Sequence, residues 1–167
     1  VFEERLFYQF NTDNEIGLLS SAPVLIENYN KVGTSFTSWY PKVTGESSEA
    51  PYSHQNTLAP RTAVALNADN HLLLIVVDGR YAASVGGQGM GALSLTRFIS
   101  YFFNSQYALN LDGGGSTTMC VKGKGDGTTN VVNYPGDNRT QTGHEHDHEG
   151  QRARDTFIVV VPANPAE

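Results

Sequence analysis

Apolar positions follow three different rhythms along the chain. Thr62 to Leu66 alternates, and Leu72 to Val77 is an unbroken apolar run. Between them lies Asn67-Ala68-Asp69-Asn70, dense in turn formers, so the two segments read as a β-hairpin. From Gly91 to Asn104 the rhythm changes. Ala92, Leu95, Ile99 and Phe102 recur at helical spacing, and Phe98 and Phe103 widen the stripe. This segment reads as the one clear helix. After it, Tyr107 to Leu111, Thr117 to Lys122 and Asn130 to Tyr134 read as strands, and β-branched Thr156 to Val161 reads as a buried closing strand. Upstream, the apolar patches Leu6 to Phe10 and Val24 to Ile26 flank a polar turn. Residues 33–58 are rich in Ser, Thr, Gly, Pro and Tyr and read as a long loop, while residues 79–90 form a Gly-rich connection. One helix among several strands predicts an α+β fold, a mixed β-sheet with the helix packed on one face.

Composition narrows this picture. A chain of 167 residues is one domain with room for a core. Residues 1–59 form its N-terminal part and 60–167 its core. The formal charge of −6, with no basic stripe, argues against nucleic acid as a partner. No apolar run reaches the ~18 residues of a membrane span. Cys120 is the single cysteine, so no internal disulfide forms; inside an apolar segment it reads as a buried small side chain. Val1 stands where an initiator Met would, which is compatible with a removed leader or N-terminal segment.

Candidate chemistry concentrates in Asn110-Leu111-Asp112-Gly113-Gly114-Gly115-Ser116-Thr117-Thr118-Met119. A carboxylate closes an apolar strand, and three glycines and three hydroxyls follow. Glycines bring bare backbone N–H groups close to a ligand, which suits an anion held beside a reactive acid. The plainer alternative is a tight turn braced by Asp112. Strand alternation puts Asn110 and Asp112 on one face and, likewise, Asp78 with Arg80. Arg61, Arg80 and Arg152 lie near strand ends, and guanidinium groups bind phosphate through a planar fork. Arg154 reads as an unrelated surface charge.

A second cluster is His144-Glu145-His146-Asp147-His148-Glu149. Its histidines would share one face of a strand and could take a divalent transition metal. The alternative is a solvated loop between Gly143 and Gly150, since metal sites usually draw ligands from separate elements. Asn138-Arg139-Thr140 is an N-glycosylation sequon, meaningful only in a secreting eukaryote.

Pro60-Arg61-Thr62-Ala63, Val77-Asp78-Gly79-Arg80, the Gly-rich run, Val132-Asn133 and Gln151-Arg152 occur in a set order before a last apolar strand. Over residues 60–161 this order resembles the phosphodiester glycosidase domain family. Gln151 stands where the family usually has Glu, and residues 135–150 are longer and more polar than its usual connection. The family's early strand motif is not found in residues 1–59, so an N-terminal partner segment could supply it. The resemblance implies a secreted, periplasmic or cell-surface hydrolase that cleaves a sugar-1-phosphodiester and releases free sugar and a phosphomonoester. It implies Asp112 and Asp78 as the catalytic acids, with Asp112 nearest the anomeric carbon and the two roles open to exchange. Arg61, Thr62, Arg80, Asn110, Gly113, Gly114, Gly115, Ser116, Thr117, Asn133 and Arg152 would bind a sugar phosphodiester or glycan. No cofactor is required, with a divalent metal at the histidines as the variant. Two rival classes remain: a non-catalytic carbohydrate or phosphate-ester binding module, and a metal-dependent phosphodiesterase using His144 to His148.

Overall fold

The computed structural model describes residues 21–35, 55–81, 87–137, 147–154 and 157–161. Four strands and one main helix define an α+β fold: β1 (Val24–Glu27), β2 (Arg61–Asn67), β3 (Leu72–Val77), α1 (Ala92–Phe103) and β4 (Ser105–Asn110). The sheet runs β1-β4-β2-β3. All three neighbouring pairs are antiparallel, where the pattern alone anticipated mixed directions.

β2 and β3 form the expected hairpin, in register from Arg61 opposite Val77 to Leu66 opposite Leu72. Its turn is closed by Asn67, whose Oδ1 accepts the N–H groups of Asp69 and His71 at 3.0 and 2.8 Å. Asn70 takes a left-handed φ of 59°, a conformation Asn tolerates better than most residues. Along β2, Arg61, Ala63 and Ala65 are buried and their neighbours are less so. Ala63 and Ala65, with Ala108 of β4, present small side chains to the core. Leu25, Ile26, Ala92, Leu95 and Ile99 complete that core.

The helix starts after Gly91 and stops where Asn104 turns left-handed, at φ 45° and ψ 50°. Its buried residues are Ala92, Leu95, Thr96 and Ile99. Phe102, expected in that stripe, is 64 % exposed. The helix ends one residue later, and Phe103 takes the inward place four residues after Ile99. Phe102 instead meets Phe98 and Tyr101, each with ring centroids 4.9 Å away.

Three further strand expectations are corrected. Thr117 to Lys122 and Asn130 to Tyr134 pair only through an isolated bridge, Cys120 to Val131. Between them Gly123, Gly125 and Asn130 have positive φ, and the chain folds on itself around Asp126 rather than continuing a ladder. Cys120 is exposed at this bridge, not buried. Residues 157–161 lie outside any strand and are exposed, with Val159 at 75 %; β-branching favours a pleated surface only where a neighbouring strand offers one. Leu6 to Phe10, most of the 33–58 loop, the sequon and His144 to His146 lie outside the described residues.

Candidate functional site

β4 stops at Asn110, so strand alternation does not reach Asp112. Asn110 is buried, with its Nδ2 donating to Ala22 O and Leu111 O at 2.9 and 2.8 Å. Asp112 does not share that face: its side chain is 73 % exposed. Asp112 Oδ1 accepts the Gly113 N–H at 2.8 Å, and Oδ2 stands 4.0 Å from an Arg154 nitrogen.

The Gly-rich run then makes a single 3-10 turn, Gly114–Ser116. Most of its amides are committed within the fold. Gly114 N–H donates to Pro60 O, Ser116 N–H to Gly113 O and Thr117 N–H to Gly114 O, at 2.9 to 3.2 Å. Gly115 N–H is the amide of the turn without a partner among the described residues. Ser116 Oγ and Thr118 Oγ1 are buried and also lack one. Buried hydroxyls without partners are uncommon, because desolvating them is unfavourable.

Two arginines reach this turn. Arg80 adopts φ 67°, rare for a residue with a side chain and a recurrent feature of functional positions. Its guanidinium lies on Gly114: a Cβ there would stand 2.8 Å from Arg80 Nη2. No carboxylate among the described residues pairs with Arg80. The Arg152 guanidinium lies on Gly115, where a Cβ would collide with it and with the Asp137 carboxylate. Arg152 binds Asp137 in a two-pronged pair, Nε to Oδ2 at 2.7 Å and Nη2 to Oδ1 at 2.9 Å. Gly114 and Gly115 are thus glycines because the Arg80 guanidinium and the Arg152–Asp137 pair occupy the space of their side chains.

Arg61 is not at that turn. It is 1 % exposed, and it donates from Nε to Met90 O at 2.8 Å and from Nη2 to Thr57 O at 2.7 Å. Burial, and then the charge of Arg80, pull its pKa below the usual value. Through Met90 O, Arg61 joins β2 to the residues that lead into the helix. Thr62 Oγ1 reaches Thr117 Oγ1 at 3.2 Å and ties β2 to the turn's far end.

Asn133 gathers the other side. Its Nδ2 donates to Asp78 Oδ1 at 2.9 Å and to Thr117 O at 3.1 Å, and its Oδ1 accepts Met119 N–H at 2.8 Å. Tyr134 N–H adds a second bond to Asp78 Oδ1 at 3.1 Å. Asp78 is therefore a fixed, partly buried carboxylate, whereas Asp112 is an exposed one. Tyr81 lies nearby, with its hydroxyl donating to Pro135 O at 2.9 Å. Burial first, and then Asp78, Asp147 and Tyr134, raise its pKa.

The motif order did not point to Asp137, Tyr134 or His148. A Pro-Gly-Asp triplet was the available sign for Asp137, and Arg154 shares strand-like spacing with Arg152. Among the described residues no group of three or more His, Cys, Asp or Glu is placed to hold a metal.

The fold and the motif order fall in the phosphodiester glycosidase class. The model of that family matches residues 6–161, and the chain belongs to the phosphodiester glycosidase family, a family of glycosidic hydrolases. The match extends well upstream of Pro60, where the motif order begins. Among solved structures, the zebrafish N-acetylglucosamine-1-phosphodiester alpha-N-acetylglucosaminidase catalytic domain, auto-inhibited by its pro-peptide, superposes with a TM-score of 0.53 at 22 % identity. That alignment covers 78 % of this chain and 42 % of the zebrafish one, and at this identity it speaks to the fold. A hypothetical protein from Synechocystis aligns at 27 % identity and a TM-score of 0.42, over 60 % of this chain and 16 % of the other. The chain spans less than half the length of both solved proteins. No curated protein matches it. No helix among the described residues is long and apolar enough to cross a membrane.

Proposed function

We propose that the chain hydrolyses sugar-1-phosphodiesters at the anomeric carbon. Water adds across the bond from C1 to the bridging oxygen; C1 keeps the new hydroxyl, and the phosphate leaves as a monoester on the aglycone. The observation that carries this reading is the Arg80 guanidinium on Gly114. Among the described residues it is a cation with no carboxylate partner, held in a left-handed backbone beside a Gly115 N–H that has no partner among them either. Together they make a natural seat for the diester's anionic oxygens. The leaving phosphate monoester is a modest base, so neutralising its charge matters more than a strong proton donor. Arg152, paired with Asp137 over Gly115, borders the seat.

Positive charge grows on the sugar ring as the bond breaks, and a nearby carboxylate stabilises it or attacks it. Asp78 suits that role, because two donors fix one oxygen and leave the other for substrate. Asp112, exposed and tied to Arg154, suits handling of the incoming water. This reverses the order suggested by the motif alone, and it invokes no cofactor. We place the enzyme outside the cytoplasm, where glycans and polymers carrying such diesters are found.

Hydrolysis in ¹⁸O-labelled water of a panel of methyl diesters of sugar 1-phosphates, both anomers, tests the reading. Label is expected in the released sugar and not in phosphate. Label in phosphate marks a phosphodiesterase, and saturable binding without release marks a binding module; either result removes the glycosidase.

A further inference from the structure

His148 belongs to the polar cluster whose metal-binding role rests on residues outside the described set, and its ring is committed elsewhere. His148 Nδ1 stands 2.7 Å from Asn133 O. The ring also stacks on Tyr134, with centroids 4.4 Å apart and planes 29° from parallel. A carbonyl oxygen only accepts, so Nδ1 must carry the hydrogen.

Asn133 O and Tyr134 N belong to one peptide group, and that group is planar and conjugated. Its carbonyl accepts from His148, while its N–H donates to Asp78 Oδ1 at 3.1 Å. Hydrogen bonds joined in a chain polarise one another, so a donor on the carbonyl strengthens the N–H at the other end. The Asn133 side chain holds the same Asp78 oxygen at 2.9 Å, so any tilt of this segment loosens both donors together.

We propose that His148 is a positioning residue for the Asp78 carboxylate, acting through the 133–134 peptide; its effect on rate rests on the glycosidase reading above. The stack on Tyr134 sets the ring's angle, and the Nδ1 hydrogen bond sets the peptide's.

The test compares His148→Asn, His148→Gln and His148→Ala by kcat and KM on the diester the wild type cleaves. Asn puts an amide nitrogen where Nδ1 stands, whereas Gln carries it to the Nε2 position. Ala and Gln are expected to lower kcat roughly 10-fold with KM within about twofold, and Asn to keep kcat within about threefold, on the scale of coupled neighbours. In an Asp78→Asn background, His148→Ala should cost nothing further. The Tyr134 amide proton should move upfield in His148→Ala and return in His148→Asn. Imidazole nitrogen spectra of the wild type should place the hydrogen on Nδ1, a result that needs no variant to fold. Hydrogen on Nε2, an unmoved Tyr134 amide, Gln as good as Asn, or full additivity with Asp78→Asn each overturns the proposal. A wild type that cleaves no diester removes the glycosidase reading and the rate effect with it. An active wild type indifferent to His148→Ala removes only the positioning role.

Discussion

Arg61 gives its guanidinium to the carbonyls of Met90 and Thr57, while Arg80 meets no carboxylate among the described residues and rests on a glycine. The same side chain thus serves structure in one case and, in our reading, substrate in the other, and the distinction is testable. Arg80→Ala should raise KM for the diester by about 10-fold or more, the scale of losing one charge-assisted contact, and leave the melting temperature nearly unchanged. Arg61→Ala should instead lower the melting temperature, because it strands two carbonyls and opens a buried volume. Equal loss of stability in both variants would sink the division of roles. For the carboxylates, Asp78→Asn should lower kcat roughly 10²-fold, since it removes charge where ring charge develops. Asp112→Asn should cost less if Asp112 only serves water. Kinetics of the two variants, checked against their melting curves, rank them.

Short-range patterns were legible at the scale of elements. The β2–β3 hairpin and α1 follow from local alternation, helical spacing and an Asn-rich turn, and each forms close to where the pattern puts it. What could not be read was anything set by partners distant in sequence. Cys120 and the residues around Val131 have strand-like composition, but the glycines between them curl the chain around Asp126 before a ladder can extend. In the site, the Gly-rich run and Asp78 stand out as strand-end motifs. The pairing of Arg152 with Asp137 depends on tertiary approach and has no local signature.

The Asp126 turn makes its own prediction. The Thr129 N–H, the Thr129 hydroxyl and the Thr128 N–H hold the Asp126 carboxyl below the usual carboxylate range. A carboxyl lowered by folding adds stability above its unfolded pKa, about 3.9, and that stability is lost as pH falls through the folded value. Amide protection at Thr128 and Thr129 should therefore fall with acidification in the wild type. Asp126→Asn should make it lower and independent of pH over the same range. Unchanged protection through the acid range would remove Asp126 as the turn's anchor.

At the scale of the molecule, the sheet and the helix of the described residues enclose the core, while the apolar run 157–161 stays outside it. A Val160→Thr exchange should accordingly shift stability by less than ~0.5 kcal/mol, the range of surface substitutions, whereas Leu95→Ala, at a position 0 % exposed, should cost about 2–5 kcal/mol. The anion seat couples the site to this global stability. A ligand that binds only the folded chain stabilises it by about 2.7 kcal/mol at 100 times its Kd. For a chain of this size each kcal/mol raises Tm by roughly 2–4 °C. Saturating inorganic phosphate or sulfate should therefore raise Tm by roughly 5–10 °C. The shift should largely vanish in Arg80→Ala, which lacks the cation on Gly114, and persist in Lys122→Ala, whose exposed charge lies beside the Asp126 turn. Screening of the chain's net charge of −6 by salt would act on all three proteins alike, so chloride at matched ionic strength is the control. An equal shift in Arg80→Ala and the wild type would show that the anion is not held at the Gly114–Gly115 turn, and the proposed phosphate seat would be lost with it.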